Sequence, residues 1–351
     1  MMFKFPHTLL VTVIAWASIL VAQAASPQLK CGKDGTFKIL QISDTHFNPV
    51  RDDRGMAVIE MLLNTEKPDM VVVNGDCIYL SDTPPPTLEQ VKQAISNVAC
   101  AMEDRHIPWA ITFGNHDAEA FGKSGITKTD MMKVYQSYPS NINSGWNPSI
   151  HGVGNKNILI CDSTGKNPVF AIWLIDSNDY RPDPKEGYDC IHTDQVAWYY
   201  QTSKELEAKY GQKIPGLMFL HIPLLEFKEM VASKGILGER REPESPSKIN
   251  SGMFAAVLER GDVKGIFCGH DHDNNYLGKW HGIHLGFDGL AGYGTYPDVQ
   301  KDDVANGRTR GGRLFLIAES DPANYKTWMR FGDGSTNWES LSEPYARKLL
   351  K

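Results

Sequence analysis

The sequence has no surplus of positive charge. Its 36 Lys and Arg are outnumbered by 42 Asp and Glu, for a net charge of −6. A protein built to hold a nucleic-acid backbone needs a basic face, so the balance argues against a stable nucleic-acid partner. An anionic substrate stays compatible, because bound cations attract one locally. Beyond residue 24 no run is apolar enough to span a bilayer, which takes about 20 residues. No Asn-x-Ser/Thr acceptor occurs, which favours an exported bacterial protein over a glycosylated eukaryotic one. Cysteine is scarce, with six residues at 31, 77, 100, 161, 190 and 268. An even number in an exported chain permits disulfides but does not fix their pairing. Cys77 and Cys268 lie in apolar strand ends, where buried free thiols are at least as natural as bridges.

The N-terminus reads as an export signal. Met1 to Thr8 carry one basic side chain, Lys4, and Leu9 to Val21 are apolar apart from Thr12 and Ser18. Ala22-Gln23-Ala24 is a small-x-small cleavage site. Residues 1–24 are therefore expected to be a signal peptide, and the mature chain to be secreted or periplasmic. An uncleaved anchor is the weaker reading, because the apolar run is short.

The rest alternates β-type and helix-type runs. Phe37–Ser43, Asp69–Asn74 and Pro108–Phe113 read as strands, separated by helical spacing over Gly55–Glu66 and Thr87–Arg105. This β-α-β-α-β opening with short turns is the pattern of a layered α/β sheet. Further strands are expected at Lys156–Cys161, Val169–Asp176, Ile214–Leu220, Val263–Cys268, His281–Phe287, Arg313–Ile317 and Tyr325–Phe331. Helices are expected at Thr193–Tyr210 and Ile249–Arg260. Lys234–Lys248 is polar and rich in Glu, Arg and Pro, which suits an ordered active-site loop or lid. No repeat or linker interrupts residues 25–351, so one domain is expected.

Each chemically distinctive segment falls at the C-terminal end of an expected strand, where open α/β sheets place their sites. The segments are Asp44-Thr45-His46, Gly75-Asp76, Gly114-Asn115-His116-Asp117, His221 and Gly269-His270-Asp271-His272. Asp44 and His46 are two apart, and so are His270 and His272, so an extended backbone would point each pair one way. Asp44, His46, Asp76, Asn115, His221, His270 and His272 offer two carboxylates, four imidazoles and one amide. Mixed N and O donors suit Fe, Zn or Mn better than Ca or Mg. Seven donors exceed what one such ion takes. They suit two ions about 4 Å apart that share a carboxylate, with a bridging hydroxide as nucleophile.

Asp-x-His, Gly-Asp, Gly-Asn-His-Asp, a lone His and Gly-His-x-His, in this order, resemble the calcineurin-like metallophosphoesterases. The wider stretches Phe37–Ile42, Phe219–Leu224, Ile249–Gly252 and Gly269–Tyr276 are similar to the short purple-acid-phosphatase-like branch of plants and fungi. The resemblance implies a four-layer fold, a central β-sandwich flanked by helices. It implies that Asp44, His46 and His272 hold one ion, that Asn115, His221 and His270 hold the other, and that Asp76 bridges them. It gives His116 the leaving oxygen and substrate phosphate, with Asp117 orienting it. One feature departs from purple acid phosphatases, which use the tyrosine of Gly-Asp-x-x-Tyr as an iron ligand. Here His46 fills that place, so Tyr79 is expected to pack or hydrogen-bond nearby.

The substrate implied is a phosphoester. A phosphomonoesterase is the first reading. A phosphodiesterase for cyclic nucleotides, nucleic-acid ends or lipid headgroups is the alternative on the same scaffold, and a non-catalytic metal-stabilised binding protein is the third. Arg240 and Arg241 could grip a phosphate, but a solvated face is the preferred reading. Asn274, Asn275 and Tyr276 could support the last ligand pair, and Tyr293 and Tyr296 could rim a pocket. His106, His151, His192, His281 and His284 have no motif context.

Overall fold

A computed structural model describes residues 28–233, 235–294 and 310–336. The expected signal peptide and Tyr296 lie outside these residues. Among the described residues, no helix is long and apolar enough to cross a membrane.

Two sheets form the centre. The first has five strands: β2 (Thr36–Ile42), β3 (Met70–Asn74), β4 (Trp109–Thr112), β12 (Gly311–Ala318) and β13 (Lys326–Phe331), in the order β13-β12-β2-β3-β4. The β2, β3 and β4 strands run parallel, while β12 is antiparallel to both its neighbours. The second sheet has eight strands in the order β1-β5-β6-β7-β9-β11-β10-β8. They are β1 (Leu29–Lys30), β5 (Lys156–Cys161), β6 (Pro168–Leu174), β7 (Gly216–Phe219), β8 (Ile236–Leu237), β9 (Val263–Cys268), β10 (Leu277–Trp280) and β11 (Ile283–Phe287). Its central run β6-β7-β9-β11 is parallel. After β1 of the second sheet, the chain forms β2, β3 and β4 of the first, builds the rest of the second, and returns to the first with β12 and β13.

Side-chain alternation explains the layering. On β2, Phe37 and Ile39 join a core with Phe170, Ile172, Leu217 and Phe267 of the other sheet. The alternate residues Leu40 and Ile42 pack instead with α1 (Asp53–Glu66), α2 (Leu88–Glu103) and α3 (Lys128–Tyr135). Trp173, Met218 and Ile266 face α4 (Thr193–Tyr210), α5 (Glu226–Ala232) and α6 (Met253–Arg260) on the far side. A strand with both faces buried must be apolar throughout, which is why β3 reads Met-Val-Val-Val. The result is the expected four-layer α/β/β/α fold. The expected helix over 249–260 starts only at Met253, after Gly252 adopts φ +77°. The short α3 and α5 and the strands β1, β8 and β10 carry too little periodicity to be read from sequence.

All six cysteines are free thiols. Cys77 and Cys268 are fully buried, and burial holds both thiols well above their usual range.

The sheets are stitched where β3 ends. Asn74 Nδ2 donates to Leu220 O and Phe267 O of the second sheet, each at 3.1 Å. Asn74 Oδ1 accepts from Thr112 Oγ1 at 2.9 Å. Replacing Asn74 by alanine strands these buried groups, at a cost of about 3 kcal/mol. The expected result for N74A is a thermal midpoint lower by roughly 5–10 °C. An unchanged midpoint would show that the stitch adds nothing.

Candidate metal centre

The ligand-type residues do converge, but not by the extended backbone expected from their spacing. β2 ends at Ile42, and Asp44 and His46 then take φ of +54° and +47°. Asp76 has φ +47° and His270 φ +76°. Left-handed backbone is costly for residues with a Cβ and persists where the surroundings impose it. It turns the chain sharply at each strand end and aims the next side chains inward. The glycines leave room for this. A Cβ on Gly114 would lie 2.2 Å from Asp76 Oδ1, and one on Gly75, at φ +87°, 2.4 Å from the His221 ring.

Two groups of donor atoms result, each with all atoms within 4.8 Å of one another. One is Asp44, His46, Asp76 and His272; the other is Asp76, His221 and His270. Asp76 belongs to both. His272 Nε2 lies 3.1 Å from Asp44 Oδ1, and His221 Nε2 lies 3.1 Å from Asp76 Oδ2. Burial is nearly complete: Asp44, Asp76 and His221 are 0% exposed and His46 is 1% exposed.

Asn115 precedes His116, whose backbone N–H is bonded to Asp76, and its amide oxygen is buried. Buried atoms without a hydrogen-bond partner in the protein include Asp44 Oδ1, His46 Nε2, Asp76 Oδ2, Asn115 Oδ1 and His221 Nε2. A buried polar atom with no partner is expensive. Five such atoms on ligand-type residues fit cation binding, since a cation satisfies lone pairs that no donor meets. The tautomer of His221 agrees: its Nδ1 faces Asn74 O at 2.9 Å, which leaves Nε2 with a lone pair for the site.

The charges follow from burial against proximity. Burial opposes ionisation of Asp44, but His272 and His221 hold it well below the usual carboxylate range. Asp76 is also low: burial works against it and the neighbouring His221 prevails. Burial would strip His221 of its proton, yet Asp76 and Asp44 push it up to about 10. Burial and the charge on His221 press His270 down to about 3. Within the protein alone, imidazolium supplies the positive charge facing the two carboxylates. A metal cation competes for that place.

His116 stands at the rim. Its backbone N–H donates to Asp76 Oδ1 at 2.8 Å, and its ring lies edge-on to His46 at 5.3 Å. The expectation that Asp117 orients His116 is corrected here. Asp117 accepts from Gly114 N at 2.8 Å and Ile78 N at 3.0 Å, fastening two of the ligand loops together. The partner of His116 Nδ1 is Glu119, in a very short contact. Burial alone would lower His116, and the Glu119 carboxylate outweighs it, so the ring titrates above its usual range. A His-x-x-Glu spacing is the signal for this pair. It becomes readable only once the chain is known to coil at Glu119–Phe121.

Tyr79 is 43% exposed and packs edge-on against His116 at 5.4 Å and His46 at 6.1 Å. Two tyrosines with no motif signal also reach the site. Tyr180 OH accepts from Asn115 Nδ2 at 3.0 Å, and Tyr188 sits edge-on to His270 at 4.6 Å.

The remaining candidates divide. Arg240 makes a two-pronged contact with Glu244, and Arg241 pairs with Glu239, so both face protein carboxylates. Asn274 Oδ1 accepts from Arg241 N and Glu242 N, and Asn275 Oδ1 from Glu239 N, pinning the polar loop beside His272. Tyr276 OH donates to Glu244 Oε1 at 2.7 Å. Tyr293 lies between Arg54 and Arg310, and its neighbour Gly292 packs on Thr45 O. His284 pairs with Tyr325, and His151 stacks on His192, both apart from the ligand groups.

Comparison with known proteins agrees with this geometry. The pattern of the calcineurin-like phosphoesterases matches residues 37–274, spanning every ligand-type segment. The chain is 33% identical to "Probable inactive purple acid phosphatase 29" of Arabidopsis thaliana over 90% of its own length and 87% of that protein's. It is 34% identical to "Probable inactive purple acid phosphatase 14" of the same plant, over 78% and 74%. Among solved structures, a dimetal phosphatase from Danio rerio superposes with a TM-score of 0.53 at 13% identity, over 84% of this chain and 95% of that one. This last likeness bears on the fold alone. Pattern, relatives and the paired donor groups together establish that the chain belongs to the calcineurin-like phosphoesterases, a family of metal-dependent phosphoester hydrolases.

Proposed function

We propose that the chain is an exported phosphomonoesterase with a dinuclear metal centre. The observation that carries this is the pair of buried donor groups that share Asp76, several of whose atoms have no hydrogen-bond partner. In this reading Asp44, His46 and His272 hold one ion, Asn115, His221 and His270 hold the other, and Asp76 serves both. The donor chemistry suits Fe, Zn or Mn. Bound ions of this kind lower the pKa of water to make a nucleophile and offset charge on phosphoryl oxygens.

The chain's own groups do the remaining work. His116 is the proton donor to the leaving oxygen, set in place by its backbone N–H on Asp76 and by Glu119 on its ring. Tyr79, exposed beside both His116 and His46, forms a wall for the substrate's organic group. The Arabidopsis relatives are named as probable inactive proteins. Activity in this chain is supported by the presence of every ligand-type residue and of a paired His116. Export rests on the leader-like residues 1–24, and a phosphate ester is the substrate class the family implies.

Three results are expected. First, D76A should lose both ions by metal analysis, and H116A should keep them while turnover of an aryl monophosphate falls about 10²–10⁴-fold. Near-normal turnover by both folded variants would overturn the mechanism. Second, with added Mn the protein should cleave an aryl monophosphate much faster than a bis-aryl phosphate. The reverse order would make it a phosphodiesterase. Third, E119Q should lower kcat roughly tenfold or more with a small change in KM, because it frees the His116 ring. D117N should chiefly lower the thermal midpoint, since Asp117 holds loops rather than His116. A kcat loss confined to D117N would restore the original assignment.

A further inference from the structure

The ligand loops are braced by a segment that none of the family-like motifs contains. Residues 179–189 fold back on themselves: Asp189 N donates to Asp179 O at 2.8 Å, and Arg181 N to Gly187 O at 3.0 Å. Tyr180 and Tyr188 pair antiparallel and stack at 5.3 Å. Tyr188 then abuts His270, while the Tyr180 hydroxyl reaches between Asn115 and Glu119. The base is anchored by Lys128, which bridges Asp176 at 3.2 Å and Asp179 at 3.3 Å.

The hydroxyl's two contacts differ in kind. A carboxylate only accepts, so the Tyr180 proton is directed to Glu119 Oε1, a long contact at 3.5 Å. The hydroxyl oxygen is then left to accept, and Asn115 must present Nδ2 to it. An amide has one oxygen and one nitrogen on opposite prongs. Once Nδ2 is committed to Tyr180, Oδ1 is the prong left over, and it is buried without a protein partner, as a ligand oxygen would be. A reversed amide would present two N–H groups to a cation and repel it.

We propose that Tyr180 is a positioning residue that fixes the polarity of the Asn115 amide, and so sets the affinity of the ion shared by Asn115, His221 and His270. The same hydroxyl ties that amide to Glu119, the partner of His116. One phenol thus links the second ion's amide ligand to the residue that carries the acid. This inference rests on the dinuclear reading of the site.

The test is calorimetric titration of the full chain, stripped of metal, with Mn. The unsubstituted protein should take up two ions. Tyr180→Phe keeps the ring and its stack but deletes the hydroxyl. It should weaken the second ion about 10- to 100-fold, the usual effect of removing a group that orients a ligand, and leave the first ion within twofold. The discriminating arm is Asn115→Asp. A carboxylate has two like oxygens and no polarity to fix, so Tyr180→Phe added to Asn115→Asp should change the second affinity by less than about threefold. An equal loss in both backgrounds would mean that Tyr180 acts through packing, and would overturn the inference. Unchanged affinity in Tyr180→Phe alone would overturn it too, while leaving the dinuclear reading intact. Uptake of fewer than two ions by the unsubstituted protein would overturn the dinuclear reading and this inference with it.

Discussion

The Asn74 side chain is where the two sheets of the sandwich become one site. Its amide crosses from the end of β3 to the carbonyls of Leu220 and Phe267, at the ends of β7 and β9. Those two strands lead directly into His221 and into Gly269-His270-Asp271-His272. The Asn74 carbonyl also accepts from His221 Nδ1, which turns the other ring nitrogen toward Asp76. One residue therefore sets the spacing between the sheets, the position of the strand ends and the tautomer of a ligand. Gln41 and Arg313 add further bonds between the sheets, to Cys268 O and Phe287 O. Apolar burial between the sheets is stronger in total, but it does not fix register so tightly, because dispersion and the hydrophobic effect have no direction.

The site itself is a concentration of unfavourable terms that the fold sustains. Four ligand-type residues hold left-handed backbone, two carboxylates are fully buried, and several donor atoms find no partner. Each of these costs stability in isolation. They coincide because one feature satisfies them all. A cation meets the lone pairs, neutralises the carboxylates and rewards the strained turns that aim them. The buried thiols beside the site follow the same economy of contact. Cys77 and Cys268 fill space behind the ligand loops, and burial keeps them protonated.

Much of this was legible in the residues. Both-faces-buried strands announce themselves as continuous apolar runs, and β3 and β6 fall where those runs lie. The ligand-type segments could be found because each follows a strand, and all but the one at His221 combine a small residue with Asp, Asn or His. What stayed hidden depended on the third dimension. Spacing two apart suggested extended backbone at Asp44 and His46, whereas steric demands at the strand ends impose positive φ. Glu119 opens a single short helical turn and Tyr180 sits in a loop, so neither belongs to a periodic run that would distinguish it from a solvated residue. Asp117 looked like the natural partner of its neighbour His116. Yet adjacent side chains in a tight turn diverge, and Asp117 points back to the N–H groups of Gly114 and Ile78.

The division of donors between the sheets has a consequence for stability. Asp44, His46, Asp76 and Asn115 follow strands of the first sheet, and His221, His270 and His272 follow strands of the second. In the proposed assignment each ion draws ligands from both sheets, so neither ion can bind unless the sheets are docked. Binding and docking are then one equilibrium, and each favours the other by the same free energy. The short strand ends and strained turns need not be stable by themselves, because the ions complete the clamp that Asn74 begins. The loops beyond the clamp, the Tyr180–Tyr188 brace and the segment pinned by Asn274 and Asn275, lie outside the shared ligand pattern. The first of them braces ligands from behind, with Tyr180 on Asn115 and Tyr188 on His270, so a change there reaches the ligands without removing one.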